Sequence, residues 1–219
     1  MANLKEIKLK IGSVKNTQKT TKAMKLVSSA KLTRTRQLSE QARSYARKIN
    51  DVLSDIAARV SKVQDEGNIS RAFVQNATPK TVDIVFVTAD KGLCGGFNMA
   101  TIKTVSRLIA EYEAKGTKVR LRAAGRKGVD FFSFQGVALE QRVSDLSSAP
   151  EYDRAAEFIN SVVEDFKNEV TDRVVLVYNG FLNMLTQEIR VRDLLPISLD
   201  LVEIKDTESM LDIEPDDDK

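Results

Sequence analysis

A glycine-rich loop, ADKGLCGGFN at residues 89–98, has more potential for chemistry than any other short stretch of this sequence. It lies between a predicted strand and a predicted helix, where doubly wound α/β folds bind phosphates or dinucleotides. Its glycines, Gly92, Gly95 and Gly96, fit neither the dinucleotide fingerprint nor the phosphate-loop pattern. We therefore favour a structural turn that needs glycine for its backbone angles, and keep a nucleotide-binding α/β enzyme as the alternative.

The other reactive side chains near this loop give weaker signals. Asp90, Lys91 and Cys94 belong to the same turn, and Cys94 could be a reactive thiol at the N-terminus of the following helix. A small turn residue is the better interpretation of Cys94, because the chain has no histidine and no second cysteine. The later GRKG at residues 125–128 could hold an anion or could be a solvent-facing loop. Asp83, Asp90 and Asp130 do not have the spacing of a metal site or of an acid–base pair.

Composition argues against catalysis by the usual groups. The sequence has no histidine, which is the commonest general base near neutral pH and the commonest transition-metal ligand. A single cysteine excludes an internal disulfide and any zinc site built from cysteines. The sequence has neither the apolar run of a membrane span nor the apolar core of a secretory signal. Catalysis is not forbidden by the composition, but its usual machinery is missing, and we expect no bound cofactor and no direct membrane insertion.

Charge is divided unevenly along the chain. Residues 1–62 contain fifteen Lys or Arg and four Asp or Glu, whereas the remainder contains nineteen and twenty-seven. A basic arm of this kind is typical of a protein that meets an acidic partner, whether nucleic acid, lipid head groups or another protein.

The basic arm is predicted to be one long helix over residues 1–66. Gly12 is its only helix breaker, and apolar residues recur at spacings of three and four near both ends, as in a coiled-coil seam. Such a helix is about 95 Å long at 1.5 Å per residue, and it needs a companion helix because propensity alone stabilises it poorly. The predicted seam comprises Ile7, Ile11, Val14, Leu38, Tyr45, Ile49, Val52 and Ile56.

The middle of this helix is nearly polar all round. Lys15, Lys19, Lys22 and Lys25 form one cationic stripe, with small Thr, Ser and Ala residues between them. Nucleic-acid binding usually adds aromatic stacking platforms, and Tyr45 is the only aromatic residue before Phe73. Two interpretations of this stripe remain open: a basic helical adaptor that binds nucleic acid, and a solvated face of a coiled coil.

The rest of the chain predicts an α/β domain over residues 80–205, after a linker at residues 67–79. Strands and helices alternate, which is typical of a mostly parallel, Rossmann-like sheet flanked by helices. Strands are predicted at 81–88, 118–124, 137–143 and 173–178, with an antiparallel edge strand at 187–196 and a candidate further strand at 199–204; helices are predicted at 98–115, 127–134 and 152–170. Residues 206–219 form an acidic tail. Pro215 and the three aspartates that follow it fit the first turn of a helix and a solvated tail equally well.

Three blocks of this sequence resemble the signature blocks of the γ subunit of F-type ATP synthase. They are IKLKIGSVKNTQKTTKAMKLVSSAKL at residues 7–32, DKGLCGGFN at residues 90–98 and KGVDFF at residues 127–132. The likeness extends from Leu4 to about Pro215, in the family's order and spacing. It implies an antiparallel coiled coil of an N-terminal and a C-terminal helix with a Rossmann-like domain between them in sequence; the family's C-terminal helix would start after the acidic tail.

The resemblance also implies a function. A family member is the non-catalytic rotor of the central stalk, which couples proton-driven rotation of the membrane c-ring to ATP synthesis or hydrolysis on the α and β subunits. The implied partners are α, β, ε and the c-ring, with no nucleic acid, on the cytoplasmic face of the bacterial inner membrane. Lys22, Met24 and Lys25 are implied to contact the acidic loops of β, and Lys8, Lys15 and Lys19 to lie nearer the top of the shaft. The turn Asp90–Gly96 is implied to lie on the globular portion, for packing or for contact with a rotor partner.

Overall fold

The computed structural model describes residues 3–62, 71–74, 76–146, 150–181 and 186–197. The chain divides into two compact units, residues 1–53 and 54–219. The predicted strand at 199–204 and the predicted acidic tail at 206–219 lie outside the described residues, as do the end of the predicted long helix at 63–66 and residues 67–70 and 75 of the predicted linker.

The first long element is a single uninterrupted helix, α1 (Leu4–Lys62). Ala, Lys, Arg, Leu and Gln, which are good helix formers, dominate its sequence, and Gly12 is accommodated without a break. Most of its described large apolar residues are exposed, and among them are Leu38, Tyr45 and Val52. The prediction of one continuous helix is confirmed over the described range.

The second unit contains a five-stranded sheet in the order β3-β2-β1-β4-β5. Its elements follow the chain as β1 (Thr81–Val87), α2 (Phe97–Ala114), β2 (Lys118–Ala124), α3 (Arg126–Phe134), β3 (Gln141–Val143), α4 (Tyr152–Lys167), β4 (Arg173–Phe181) and β5 (Gln187–Leu195). Strands β3, β2, β1 and β4 are parallel, and β5 is antiparallel to β4 at the edge. The prediction of a mostly parallel sheet with an antiparallel edge strand is therefore confirmed.

Two apolar cores cover the two faces of the sheet. Helices α2 and α3 pack on one face, against Val82, Ile84 and Phe86 of β1 and against residues of β2 and β4. Helix α4 packs on the other face through Phe158, Val162 and Phe166. Strand β1 is buried on both sides because alternate residues face opposite layers. This explains why its sequence is almost continuously apolar.

Several predicted boundaries differ from the structure. The strand predicted at 137–143 is shorter, because Val137 and Leu139 pack against the α2 side of the core outside any strand. Helix α4 ends at Lys167 rather than at residue 170, since Glu169 adopts a left-handed backbone with φ of 61°. Strand β4 runs on to Phe181, three residues beyond its predicted end.

Candidate functional site

The glycine-rich loop between β1 and α2 is held together by its own side chains. Asn98 accepts a hydrogen bond from the backbone N–H of Ala89 at 2.8 Å through Oδ1. Its amide nitrogen Nδ2 lies 3.1 Å from Cys94 Sγ and 3.3 Å from the carbonyl oxygen of Lys91. The Asn98 side chain and the Cys94 thiol thus close the loop on itself, which supports the interpretation of Cys94 as a turn residue.

Only one of the three loop glycines needs its special backbone freedom. Gly95 has φ of 57°, whereas Gly92 and Gly96 have no positive φ, and a Cβ added at either would meet no atom within 4 Å. The neighbouring Leu93 also has a positive φ, of 61°, and its side chain is 97% exposed. Within this turn, the positive φ that favours glycine is therefore confined to Gly95 among the three glycines.

Asp90 joins this loop to two other segments. Its Oδ1 accepts hydrogen bonds from the backbone N–H groups of Arg126 and Asp145, both at 2.9 Å, and the residue is buried. Arg126 is the first residue of α3, so the carboxylate also lies at the positive end of that helix. These contacts give Asp90 a structural function that its sequence position does not reveal.

The GRKG segment at residues 125–128 approaches Thr88 closely. A Cβ on Gly125 would collide with the carbonyl oxygen of Thr88, and φ at Gly125 is 108°. A Cβ on Gly128 would lie 2.6 Å from the ring of Phe86. Thr88 Oγ1 accepts a hydrogen bond from the N–H of Gly128 and donates one to the carbonyl of Gly125. Both glycines are required for close packing of α3 on β1.

The switch point of the sheet, where doubly wound folds bind ligands, lies between β1 and β4. Asn179 of β4 occupies this position. Its Nδ2 donates to Thr101 Oγ1 at 2.7 Å and to the carbonyl of Phe97 at 3.2 Å, and so ties β4 to the first turn of α2. Asn179 and Asn98 therefore use their side chains for internal contacts at the place where a nucleotide would bind.

The most strongly charged part of the interior lies between the sheet and α4. Arg122 donates to Asp83 Oδ2 at 2.6 Å, to Gln141 Oε1 at 2.8 Å and to Asp165 Oδ2. Arg120 donates to Asp165 Oδ2 at 2.7 Å. Burial alone would raise the pKa of Asp165, but the Arg120 hydrogen bond and the charges of Arg122 and Arg120 outweigh it and hold that pKa below its ordinary value. The sequence does not reveal this network, because the alternation that places Arg120 and Arg122 on one face also fits an exposed strand.

One face of α1 forms a shallow groove lined by Val14, Thr17, Gln18, Thr21, Lys22, Lys25 and Leu26. The threonines in this part of the helix donate their hydroxyl groups to backbone carbonyls one turn earlier. Thr17 Oγ1 is 3.0 Å from the carbonyl of Ser13, and Thr21 Oγ1 is 2.9 Å from that of Thr17. The groove therefore combines two lysine stems with threonine methyl groups.

Neither a metal centre nor a membrane span is found in the part of the chain that the structure describes. Within it, no group of three or more acidic or cysteine side chains is placed to hold a metal ion. In the same ranges no helix has both the length and the apolar character needed to cross a bilayer.

Comparison with known proteins decides the family. A family model for ATP synthase matches residues 3–219. The chain is 87% identical over 219 residues to an ATP synthase gamma chain of Aliarcobacter butzleri, covering 100% of this chain and 74% of that protein. The chain belongs to the ATP synthase gamma chain family. A second gamma chain, of a Sulfurovum species, is 54% identical over the same length and the same 74% of its own chain.

A more distant structural match is the central stalk and c-ring of the mitochondrial ATP synthase of Tetrahymena thermophila. It is 22% identical, covers 68% of this chain and 72% of that chain, and has a TM-score of 0.45. Assignment to the gamma chain family rests on the sequence relatives.

The gamma chain positions predicted for shaft contacts and for the coiled-coil seam all lie on α1. Lys8, Lys15, Lys19, Lys22, Met24 and Lys25 are exposed. The seam residues are exposed too, namely Ile7, Ile11, Val14, Leu38, Tyr45, Ile49, Val52 and Ile56. The glycine-rich loop is a separate candidate, because it lies between β1 and α2.

Proposed function

We propose that this gamma chain is the central-stalk rotor that couples rotation of the membrane ring to ATP synthesis or hydrolysis on other subunits. The observation that supports this most is α1, a helix of 59 residues in which fourteen large apolar side chains, from Leu4 to Ile56, are exposed. Most helical stability in proteins comes from packing an apolar face rather than from propensity, so such a helix requires companions. If α1 is a shaft inside a larger assembly, the surrounding subunits and a second helix supply these companions.

The seam residues at the two ends of α1 are the proposed contact with a companion helix. Ile49 and Ile56 are each about two-fifths exposed, and Val52 is 58% exposed, although all three are apolar. Covering such side chains stabilises an assembly by about 25 cal/mol for each Å² of apolar surface removed from water. In the complete gamma subunit the companion is the C-terminal helix implied by the family.

The middle of α1 is the proposed contact with the α and β subunits. Lys22, Met24 and Lys25 would meet the acidic loops of β, while Lys8, Lys15 and Lys19 would lie nearer the top of the shaft. Flexible lysines on acidic loops form exposed ion pairs that contribute only about 0.2–1 kcal/mol each. Weak contacts of this kind suit a surface that meets three equivalent partners in turn.

The α/β unit is the proposed contact with the ε subunit and the c-ring at the cytoplasmic face of the bacterial inner membrane. The Asp90–Gly96 turn would lie on this portion. We propose that the turn has no cofactor and no catalytic residue, because Asn98 and Asp90 are bonded within the protein. The alternative of a nucleotide-binding enzyme is not favoured.

Single-molecule rotation tests the proposal. With the α and β subunits fixed to a surface and a probe attached to Cys94 of the complete gamma subunit, ATP should drive stepwise rotation of the probe. A probe that stays still while ATP is hydrolysed would contradict the proposal. Titration of the isolated chain with ATP or NAD is the complementary test, because binding in the micromolar range would favour the enzyme instead.

A further inference from the structure

Two buried polar atoms of the ion-pair network under α4 have no hydrogen-bond partner among the described residues. They are Oδ1 of Asp83 and Nη1 of Arg120. The side chain of Asp83 is fully buried, and that of Arg120 is 8% exposed. Buried donors and acceptors in native proteins are almost always bonded to the protein or to ordered water, because an unmade hydrogen bond is costly there. These two atoms therefore require an explanation.

The sheet places the two atoms close to each other. Asp83 of β1 and Arg120 of β2 are partners in the parallel register, and both side chains lie on the face that α4 covers. Nε of Arg120 is 3.6 Å from Oδ1 of Asp83, which is an ion contact but is too long for a hydrogen bond. Since Nε and Nη1 belong to one planar guanidinium and are about 2.3 Å apart, Nη1 lies no more than about 6 Å from Oδ1.

Neighbouring groups already bind the other ends of both side chains. Oδ2 of Asp83 accepts a hydrogen bond from Nε of Arg122 at 2.6 Å. Nη2 of Arg120 donates to Oδ2 of Asp165 at 2.7 Å and lies 3.5 Å from Oε2 of Glu140. Each side chain is thus held by its far partner, and the pair Oδ1 and Nη1 is left facing a gap that neither atom closes.

The chemistry of the two atoms decides what can lie between them. A ligand at this point must accept a hydrogen bond from Nη1 of Arg120 and donate one to Oδ1 of Asp83. A halide ion cannot donate to the carboxylate, and a cation cannot accept from the guanidinium. Water does both, and two hydrogen bonds of about 2.7–3.0 Å span a separation of up to about 6 Å.

We propose that one water molecule is bound between Asp83 and Arg120 and is a permanent part of the network that joins α4 to the sheet. The water accepts from Nη1 and donates to Oδ1, so that both buried charges are satisfied. Two charged partners are enough to hold a buried water in place. The site lies between β1, β2 and α4, and the proposal goes beyond the rotor function and does not depend on it.

The test is a crystal structure of the catalytic complex with the full-length gamma subunit, at a resolution that shows ordered water. Wild type should show one peak at hydrogen-bond distance, about 2.6–3.2 Å, from both Nη1 of Arg120 and Oδ1 of Asp83. Crystals soaked in sodium bromide identify the peak, because bromide gives an anomalous signal and water does not. We expect no anomalous signal at this position.

Asp83→Glu tests whether the water depends on this carboxylate. The extra methylene carries the carboxylate about 1.5 Å further from the backbone, so we expect it to bond Nη1 of Arg120 directly and the peak to disappear. The matched control is Asp193→Glu. Asp193 already bonds Arg173 directly, at 2.7 and 2.5 Å, so the longer side chain there should leave the peak beside Asp83 in place. If the Asp83 variant does not fold, the wild-type structure decides alone.

Four results would overturn the proposal. They are a wild-type map without a peak between the two atoms, direct contact between Nη1 and Oδ1, an anomalous bromide signal, and a peak that persists in Asp83→Glu. In each case the rotor function stands, because it makes no use of this water.

Discussion

Arg122 and Asp83 form an ion pair in the interior of the α/β unit, with Nε of Arg122 2.6 Å from Oδ2 of Asp83. The side chain of Asp83 is fully buried and that of Arg122 is 2% exposed. They lie on the adjacent parallel strands β1 and β2, on the face covered by α4. Arg120 and Asp165 complete the group, so α4 meets the sheet through charge as well as through its phenylalanines.

Removing one member of this group should destabilise the fold strongly. Asp83→Ala removes the fully buried carboxylate that pairs with Arg122 and Arg120 and leaves the two guanidinium groups with Asp165 between them, and breaking a buried pair costs about 3–5 kcal/mol. Urea unfolding followed by circular dichroism measures the loss. Glu111→Ala is the control, because its pair with Arg107 is exposed and should cost less than about 1 kcal/mol. Equal effects of the two variants would contradict the importance of the buried network.

Asp165 should make stability depend on pH. Its pKa is lower in the folded protein than the ordinary value of 3.8, so its contribution is present above 3.8 and is lost as pH falls through the folded value. The difference in unfolding free energy between wild type and Asp165→Asn should therefore be largest near neutral pH and shrink at pH below 3.8. Urea midpoints across an acidic pH series measure it. A difference in unfolding free energy that grows as the pH falls would show that folding raises the pKa of Asp165 instead of lowering it.

Gly125 and Gly92 should differ sharply in how well the fold tolerates their substitution by alanine. Gly125→Ala places a Cβ against the Thr88 carbonyl and keeps a positive φ, so we expect a loss of about 1–3 kcal/mol. Gly92→Ala meets nothing within 4 Å and should be close to neutral. Thermal unfolding of the two variants provides the comparison. Similar melting temperatures would contradict the tight approach of α3 to β1.

The sequence predicted the order and type of the described elements because their patterns are local. The sequences of β1 and β4 are continuous apolar runs, as expected of buried strands, and apolar residues recur along α4 with the period of a helix. In each case the pattern indicates both the type of element and the residues that it buries. The edge position of β5 also followed from its alternation of polar and apolar residues. Helix α4 ended earlier than predicted because Glu169, which is not a glycine, takes a left-handed angle, and residue type gave no sign of it.

The contacts that hold the elements of the α/β unit together could not be predicted in this way, because they join residues far apart in the sequence. Arg71 and Asp172 are separated by 101 positions, and Arg71 lies in a stretch that the sequence predicts to be a linker. Asp83 and Arg122 are 39 positions apart. A charged residue within an apolar strand indicates a buried partner, but the partner itself is chosen by strand order and register.

The proposed seam should be required for assembly and not for folding of the α/β unit. Ile49→Asp puts a charge into the exposed apolar stripe of α1, so the complete gamma subunit should fail to assemble with α and β. Co-purification of the three subunits is the measurement. Ser44→Asp, at an exposed position outside the stripe, should assemble normally. Normal assembly of the Ile49 variant would exclude this stripe as a helix–helix contact.

Met24 should affect coupling rather than folding. Met24→Lys adds a charge beside Lys22 and Lys25, which would strengthen attachment to acidic loops and slow the passage from one subunit to the next. Proton pumping per ATP hydrolysed, measured in membrane vesicles, should fall. Met24→Leu keeps the side chain apolar and should pump normally. Unimpaired pumping by the lysine variant would place Met24 away from these loops.

The threonines of α1 have a further consequence for how this helix meets its surroundings. Thr17, Thr20, Thr21 and Thr33 each donate the hydroxyl to the carbonyl four residues earlier, at 2.9–3.1 Å. Their outward surface is therefore mainly methyl, although the sequence is polar. Because each hydroxyl proton is already bonded within the helix, a neighbouring protein has no bond donated by these hydroxyls to break when it moves on. The energy barriers between successive resting angles of α1 can thus stay low, as in a bearing with little friction.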